Sequence, residues 1–348
     1  MGKSQNNIKY ITYSKAIAAI LVILYHTWGS MEIDTNVRND CILFFFTTHV
    51  PTFMMISGYL YSNHTIKHEL TYRIRKLLNL LICSAVYIFI LVLFRVIVHS
   101  YLGIERTLLE EIDLSAHNMW YFPVLCFAII LYELSSKVTK KEGIIPTRSI
   151  LFLLLIIVIA FLMYKNPSIG KILAYVIIFM IGTTWTINVW KAIFNALAYV
   201  GVWILVVIIT GKVNAQSESS IGTELLLLMV LTVLGAGLIL SLVYLILQIK
   251  DNGSIIKYKN SDDCGNDSNK SGIIDSILCF ICQNSQIFYF AQFIVIIVIE
   301  ALRSIGVYGY SVLCSLLYTA MCIFCTLIFS VITSTSAMAN RLLCKPFN

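Results

Sequence analysis

Charged side chains are scarce in this chain. They make up 12% of its 348 residues, and the mean hydropathy is +0.85, whereas soluble domains carry about 25% charged residues. An ordinary soluble fold is therefore excluded, and we predict an all-α, polytopic integral membrane protein with about ten transmembrane helices in a single bundle. The predicted spans are 9–30, 41–61, 77–99, 118–135, 149–164, 168–187, 190–210, 222–248, 274–300 and 307–333.

Several familiar sequence patterns are also missing. The longest polar stretch, 249–273, lacks the G-x-x-x-x-G-K-[ST] spacing of a phosphate-binding loop, and we interpret it as a flexible cytoplasmic loop within one domain, 1–348. The first apolar stretch lacks a small-residue cleavage site and is interrupted by Lys15, so we expect a retained helix rather than a signal peptide. We find no clear internal repeat, which would be the usual sign of an inverted-repeat transporter.

The distribution of lysine and arginine predicts the orientation in the membrane. With the N-terminus inside, most of these residues fall on the cytoplasmic side, which is the asymmetry that orients membrane proteins. An even number of spans then places both termini in the cytoplasm, and we expect the protein in the plasma membrane. The net charge of +7 reflects this topology, so it does not indicate a nucleic-acid partner.

Ten cysteines raise the question of a metal site. Cys279 and Cys282, and likewise Cys322 and Cys325, have C-x-x-C spacing, but both pairs lie in apolar spans with no histidine close in sequence. Zinc needs ligands that can deprotonate and supporting hydrogen bonds around them. We therefore interpret these residues as buried thiols and expect no metal.

A lysine and a histidine bound an apolar run in the first span, KAIAAILVILYH. Lys15 and His26 are 11 positions apart, so on a helix they share one face and lie about 16 Å apart along the axis. Ionisable residues inside a span indicate a functional site. Structural alternatives remain: Lys15 extends its ammonium to the inner interface, or His26 serves packing alone.

The second span reads FFFTTHVPTFMMISGYL. Pro51 removes the helical partner of the carbonyl near residue 47 and predicts a kink, and His49 lies close to it, at the same depth as His26. We predict a polar cavity that the two histidines share. Alternatively, Pro51 and Gly58 only shape packing, and His49 bonds the freed carbonyl.

Basic residues follow in TYRIRKLLNLL. Arg73, Arg75 and Lys76 stand at the cytoplasmic mouth of the third span. One interpretation is a topology anchor. The other is a phosphate-binding cluster, because the fork of an arginine matches phosphate oxygens.

Other polar residues lie at predicted interfaces. Trp120 and Tyr121 open the fourth span and are typical of the aromatic belt of a membrane protein. Arg95 and His99, near the outer end of the third span, are interpreted as interfacial in the same way.

Together these features resemble the acyltransferase-3 family of membrane acyltransferases, which O-acetylate surface glycans, peptidoglycan and related acceptors. Lys15 to His26 is similar to the family's basic-x10-His signature, with lysine where many members have arginine. Its other motifs are similar to THVPTFMMISGYL, RIRK, MWYFPVL and NSQIFYFAQFIVI in this chain. Two positions depart from the pattern: Gln292 replaces the usual histidine of the last motif, and Thr12 replaces an aspartate often found before the first.

The resemblance implies an O-acyltransferase that moves an acetyl or other short acyl group from cytoplasmic acyl-CoA to a hydroxyl of a cell-surface or exported glycan. It implies His26 as the catalytic general base, because a desolvated neutral imidazole can accept a proton. It implies no permanently bound cofactor, with acetyl-CoA as a co-substrate. The other implied site residues are Lys15, Arg73, Arg75 and Lys76 for the acyl donor, and His49, Trp120 and Gln292 in the cavity.

The partners implied are acyl-CoA inside, a glycan or lipid-linked glycan outside, and the lipid bilayer, with no nucleic acid. An alternative function is a membrane transporter or exporter of polysaccharide or of a small polar solute, since related proteins have been regarded in this way. Broken helices in two matching halves would favour that alternative.

Overall fold

The computed structural model of the protein describes residues 2–29, 35–63, 68–139, 167–210, 222–253, 273–304, 320–321, 323–328 and 330–331. Nearly all of these residues are helical and none is in a strand, which confirms the predicted all-α membrane architecture. In chain order the helices are α1 (Gly2–Gly29), α2 (Thr35–Asn63), α3 (Leu70–Leu102), α4 (Leu108–Asn118), α5 (Tyr121–Thr139), α6 (Pro167–Thr183), α7 (Val189–Thr210), α8 (Gly222–Gly253), α9 (Ile273–Gln283) and α10 (Ser285–Ser304).

The described helices provide fewer membrane spans than the ten expected. Four helices, α2, α3, α7 and α8, are long and apolar enough to cross a bilayer, and the pairs α4–α5 and α9–α10 raise the count to six if each is one bent span. α1 carries Lys9 and Lys15, and α6 has only 17 residues, fewer than the roughly 20 that a span needs. The predicted span 149–164 and much of 307–333 lie outside the described residues.

The polar stretch predicted as a cytoplasmic loop is helical at both of its ends. Residues 249–253 extend α8, and Ile273 begins α9. A helix can extend into a polar stretch in this way, because the backbone hydrogen bonds of its last turn do not require apolar side chains. Residues 254–272 lie outside the described ranges.

Each bent span breaks at a motif that resembles the acyltransferase-3 family. α4 and α5 meet at 54° across Met119 and Trp120, within MWYFPVL. α9 and α10 meet at 78° at Asn284, where NSQIFYFAQFIVI begins. The breaks therefore place these motif residues at the ends of helices rather than within continuous helices.

α2 and α6 cross with their backbones in contact. A Cβ atom at Gly58 of α2 would overlap the carbonyl of Phe179 in α6, and a Cβ atom at Gly182 of α6 would overlap the carbonyl of Met55 in α2. Small residues allow this close approach, which is a common way to pack helices in membranes. Gly58 therefore shapes the packing, as one of the sequence interpretations proposed.

Pro51 has a second consequence for helix packing. α2 continues through Pro51, whose missing N–H leaves the carbonyl of Thr47 without its helical donor. That carbonyl lies against Gly235 of α8, where a Cβ atom would overlap it. The Nδ1 atom of His49 instead donates to the carbonyl of Phe45, so His49 does not bond the freed carbonyl.

α1 lies in the interior of the bundle, in contact with α2, α8, α9 and α10. Its ring neighbours show that it runs antiparallel to α2, because Tyr25 stacks on His49 while Tyr10 hydrogen-bonds to Tyr59. Lys15 and His26 therefore lie at two different levels of the bundle, as their spacing predicts.

The glycine contacts predict that a single methyl group destabilises the bundle. We expect Gly58→Ala and Gly182→Ala each to lower the stability of the purified protein by about 1–3 kcal/mol, because the added carbon overpacks a backbone contact. Gly201→Ala is the matched control, since nothing lies within 4 Å of its Cβ position; alanine there should be neutral or stabilising. Thermal unfolding in detergent measures all three, and equal melting temperatures would contradict the prediction.

Candidate functional site

The two histidines of the first and second spans lie side by side. The ring of Tyr25 stacks on His49 at a centroid distance of 4.8 Å and contacts His26 edge-on at 5.1 Å. Phe293 of α10 contacts His26 at 5.2 Å, and the two imidazoles are close enough to interact electrostatically. We call His26, His49, Tyr25 and Phe293 the histidine site.

His49 is held in one orientation. Only 3% of the residue is exposed, and its Nδ1 atom donates to the carbonyl of Phe45, one turn earlier in α2. A neutral imidazole that donates through Nδ1 carries its lone pair on Nε2. The backbone and the stacked Tyr25 ring therefore fix both the tautomer and the plane of this side chain.

Trp120 joins the histidine site through aromatic neighbours. Its ring lies 4.9 Å from Tyr175 of α6, and Tyr175 interacts electrostatically with Tyr25. On the other side Tyr289 of α10 lies 5.4 Å from the Phe293 ring. Trp120 is thus part of the interior and not of a lipid-facing belt. The sequence interpretation missed Tyr175 and Tyr289, although Tyr289 is within a recognised motif.

Gln292 is buried without a partner. It is 1% exposed, and within the described ranges neither atom of its amide has a hydrogen-bond partner. A side-chain amide has two donor hydrogens and one acceptor oxygen to satisfy. Gln292 precedes Phe293, which contacts His26, so this amide is next in the chain to the histidine site.

Basic residues gather about three helical turns from His26, near the middle of α1. Lys15 is partly buried and lies close enough to Lys76 of α3 for the two positive charges to repel. Arg73 precedes Lys76 by three residues and shares its side of α3. Arg75 is exposed and turned about 160° around the helix from Arg73. We call Lys15, Arg73 and Lys76 the basic site; the structure separates Arg75 from it.

Arg73 has a protein partner that the sequence interpretation did not include. Its Nη1 atom lies 2.5 and 2.6 Å from the two carboxylate oxygens of Glu133 in α5. The hydroxyl of Tyr61 in α2 donates to the same carboxylate at 2.5 Å. Glu133 is an acidic residue inside the predicted span 118–135. An ionisable residue inside a span is the signal that drew attention to Lys15, and the same signal could have identified Glu133.

A second polar cluster, between α3 and α4, contains two residues that were expected at the membrane interface. Arg95 and His99, interpreted as interfacial, are 3% and 5% exposed and lie where α3 packs on α4. His99 Nδ1 lies 2.5 Å from the carboxylate of Glu111, which is 1% exposed. Spacing along one helix could not reveal this pair, because its residues come from two helices joined by a turn.

The described cysteines do not form a metal centre. Cys279 and Cys282 are partly buried in α9, and Cys322 lies outside the described residues. Within the described ranges no group of three or more His, Cys, Asp or Glu residues could hold a metal ion. The histidine site thus has aromatic and backbone neighbours rather than metal ligands.

Fold and site define a polytopic, all-α membrane protein with ionisable residues at two levels of its interior. A family model described as an acyltransferase domain matches residues 8–335, and the chain therefore belongs to the acyltransferase-3 family. It is a membrane acyltransferase. No curated protein and no solved structure matches the chain.

The buried pair between α3 and α4 predicts a large effect on stability. Glu111→Ala removes one partner and leaves the other groups buried in the contact, so we expect a loss of about 3–5 kcal/mol. Asp113→Ala is the matched control, because Asp113 is an exposed acidic residue of the same helix. Thermal unfolding of the two purified variants measures the difference, and similar melting temperatures would show that the pair contributes little.

Proposed function

We propose that this membrane acyltransferase moves an acetyl or other short acyl group from acyl-CoA at the cytoplasmic face to a hydroxyl of a cell-surface or exported glycan. One observation carries the proposal. Lys15 and His26 share a helix in the bundle interior, Lys15 beside Lys76 and His26 beside His49. Their separation of about 16 Å is of the order of the length of the pantetheine arm of CoA.

The basic site is proposed to bind the acyl donor. CoA carries phosphate groups, and clustered lysine and arginine side chains are the usual protein groups that bind them. Lys15 and Lys76 come from two different helices, so their repulsion would be relieved by an anion between them. The donor is a co-substrate and not a permanently bound cofactor.

The histidine site is proposed to perform the chemistry. His26 accepts the proton of the acceptor hydroxyl while that oxygen attacks the thioester carbonyl. The tetrahedral intermediate then collapses, the C–S bond breaks, and the imidazolium returns its proton to the leaving thiolate. His49, Trp120 and Gln292 are proposed to line this cavity, where Gln292 donates or accepts hydrogen bonds without proton transfer.

The proposed setting is the plasma membrane, with both termini in the cytoplasm. The donor then enters from the side of the membrane nearer Lys15, and the glycan or lipid-linked glycan approaches from the side nearer His26. This arrangement follows from the distribution of lysine and arginine along the chain.

The two bent spans favour a second candidate, a transporter or exporter of polysaccharide or of a small polar solute. Discontinuous helices are typical of transporter binding sites, and the pairs α4–α5 and α9–α10 bend by 54° and 78°. Slow hydrolysis of acetyl-CoA by the purified protein in detergent would support the acyltransferase. Solute flux into vesicles without acyl transfer would support the transporter.

We expect His26→Ala to lower acyl transfer by about 10²- to 10⁴-fold, because it removes the proposed general base. The measurement is transfer of labelled acetyl groups to surface glycan in cells that produce equal amounts of membrane-inserted protein. His117→Ala is the matched control, since His117 is exposed on α4. Near-normal transfer by the His26 variant would make His26 structural and contradict the mechanism.

The geometry of α3 predicts that substitutions of Lys76 and Arg75 change the KM for acetyl-CoA to different extents. Lys76→Ala should raise the KM for acetyl-CoA about two- to fivefold, the size of effect expected when one exposed charge pair is lost. Arg75→Ala should leave the KM nearly unchanged, because Arg75 is turned away from the basic site. Steady-state kinetics at low and at high salt test this. Equal effects of the two variants would indicate a general attraction of anions to this surface.

A further inference from the structure

Three helices meet at one carboxylate near the basic site. Glu133 of α5 accepts from Arg73 of α3 and from Tyr61 of α2 at distances of 2.5–2.6 Å. The side chains of Arg73 and Glu133 are each 17% exposed. This contact is therefore mostly shielded from water, and it fixes the guanidinium relative to three helices.

The pair uses only one nitrogen of the arginine. Both contacts run through Nη1 of Arg73. Nε is buried, and within the described part of the chain it has no hydrogen-bond partner. A guanidinium has five N–H donors, and an arginine N–H can bind a phosphate oxygen. Glu133 contacts Nη1 and Nε is covered by protein, so Nη2 is the nitrogen left for a ligand.

We propose that Glu133 is a positioning residue of the donor site, which holds the Arg73 guanidinium so that its Nη2 atom donates to a phosphate of the acyl-CoA. This inference rests on the proposed function. Tyr61 supports it by donating to the carboxylate, which restricts how Glu133 can turn. Arg73 and Lys76 share one side of α3, so the held guanidinium lies next to the other charges of the basic site.

Two explanations of donor binding, attraction by net charge and positioning of Arg73, predict opposite results when Glu133 loses its charge. Glu133→Gln removes a negative charge near the basic site, so attraction of phosphate by net charge alone would strengthen donor binding. If Glu133 positions Arg73, the same variant weakens donor binding, because a flexible arginine must be ordered again when the phosphate binds. The sign of the change therefore separates the two explanations.

The experiment measures CoA binding to the full-length protein in lipid nanodiscs by calorimetry. We expect Glu133→Gln to raise the Kd about three- to tenfold, because Glu133 acts on the phosphate through Arg73. Tyr61→Phe should raise the Kd less, because Tyr61 acts through Glu133. Glu69→Gln is the matched control, because Glu69 is exposed just before α3 and loses the same charge. Glu69→Gln should leave the Kd unchanged or slightly lower.

A double-mutant cycle tests whether Glu133 acts through Arg73. In the Arg73→Gln background, Glu133→Gln should have no further effect on the Kd. Kinetics give a second readout: Glu133→Gln should raise the KM for acetyl-CoA and leave kcat nearly unchanged. The KM for S-acetylpantetheine, a thioester without the CoA phosphates, should not change, whereas a general disturbance of the fold would affect both donors.

The failures of the two proposals are distinguishable. If the unmodified protein binds no CoA, the proposed function fails, and this inference fails with it. If it binds CoA and Glu133→Gln binds as tightly or more tightly, or if the effects of the two substitutions are additive, only the positioning role of Glu133 is overturned. If Glu133→Gln is not produced, Tyr61→Phe decides in the same way, because it keeps both charges and loosens the carboxylate.

Discussion

The placement of a partly buried lysine and a partly buried histidine on one interior helix is the constraint on which the rest of the structure depends. Polar and charged groups in an apolar interior are costly unless they are paired or hydrated. The helices around α1 meet this constraint differently at the two levels. At the histidine site, aromatic rings and a backbone carbonyl surround imidazoles that can remain uncharged. At the basic site, Lys15 lies beside the exposed Lys76, where its charge has access to water and anions.

Helix packing holds the neighbouring helices in place around these two levels. Lipid chains are as apolar as leucine, so helices in a bilayer are held together by close packing and by polar contacts. Gly58 and Gly182 fix the crossing of α2 and α6 by direct backbone contact. The Arg73–Glu133 pair joins α3 to α5 at the level of the basic site. These contacts hold the helices that carry the site residues in register, so the geometry of the site follows from contacts that include no reacting group.

Helical periodicity predicted the relations within a helix but not those between helices. The shared face of Lys15 and His26 follows from 11 residues at 3.6 per turn, and the depth of His49 follows from the length of a span. The contact of Arg73 with Glu133 joins residues 60 positions apart, and no local pattern encodes it. The bends at 54° and 78° were not predicted, because long apolar runs do not reveal where a helix bends. His99 was placed at an interface because its partner, Glu111, comes from another helix.

The two bent spans explain how the bundle interior can contain the histidine site at one level and the basic site at another. Backbone that is not helical is tolerated at membrane depth only where protein or a cavity satisfies its polar groups. The hydroxyl of Tyr289, just after one break, donates to the carbonyl of Asn118, just before the other, at 3.2 Å. Each break therefore supports the other beside the histidine site. Interior breaks of this kind suit a transporter as well as an enzyme. The feature that favours the proposed acyl transfer is the placement of two lysines and two histidines at two levels of α1, which suits a phosphate-bearing donor and a proton acceptor.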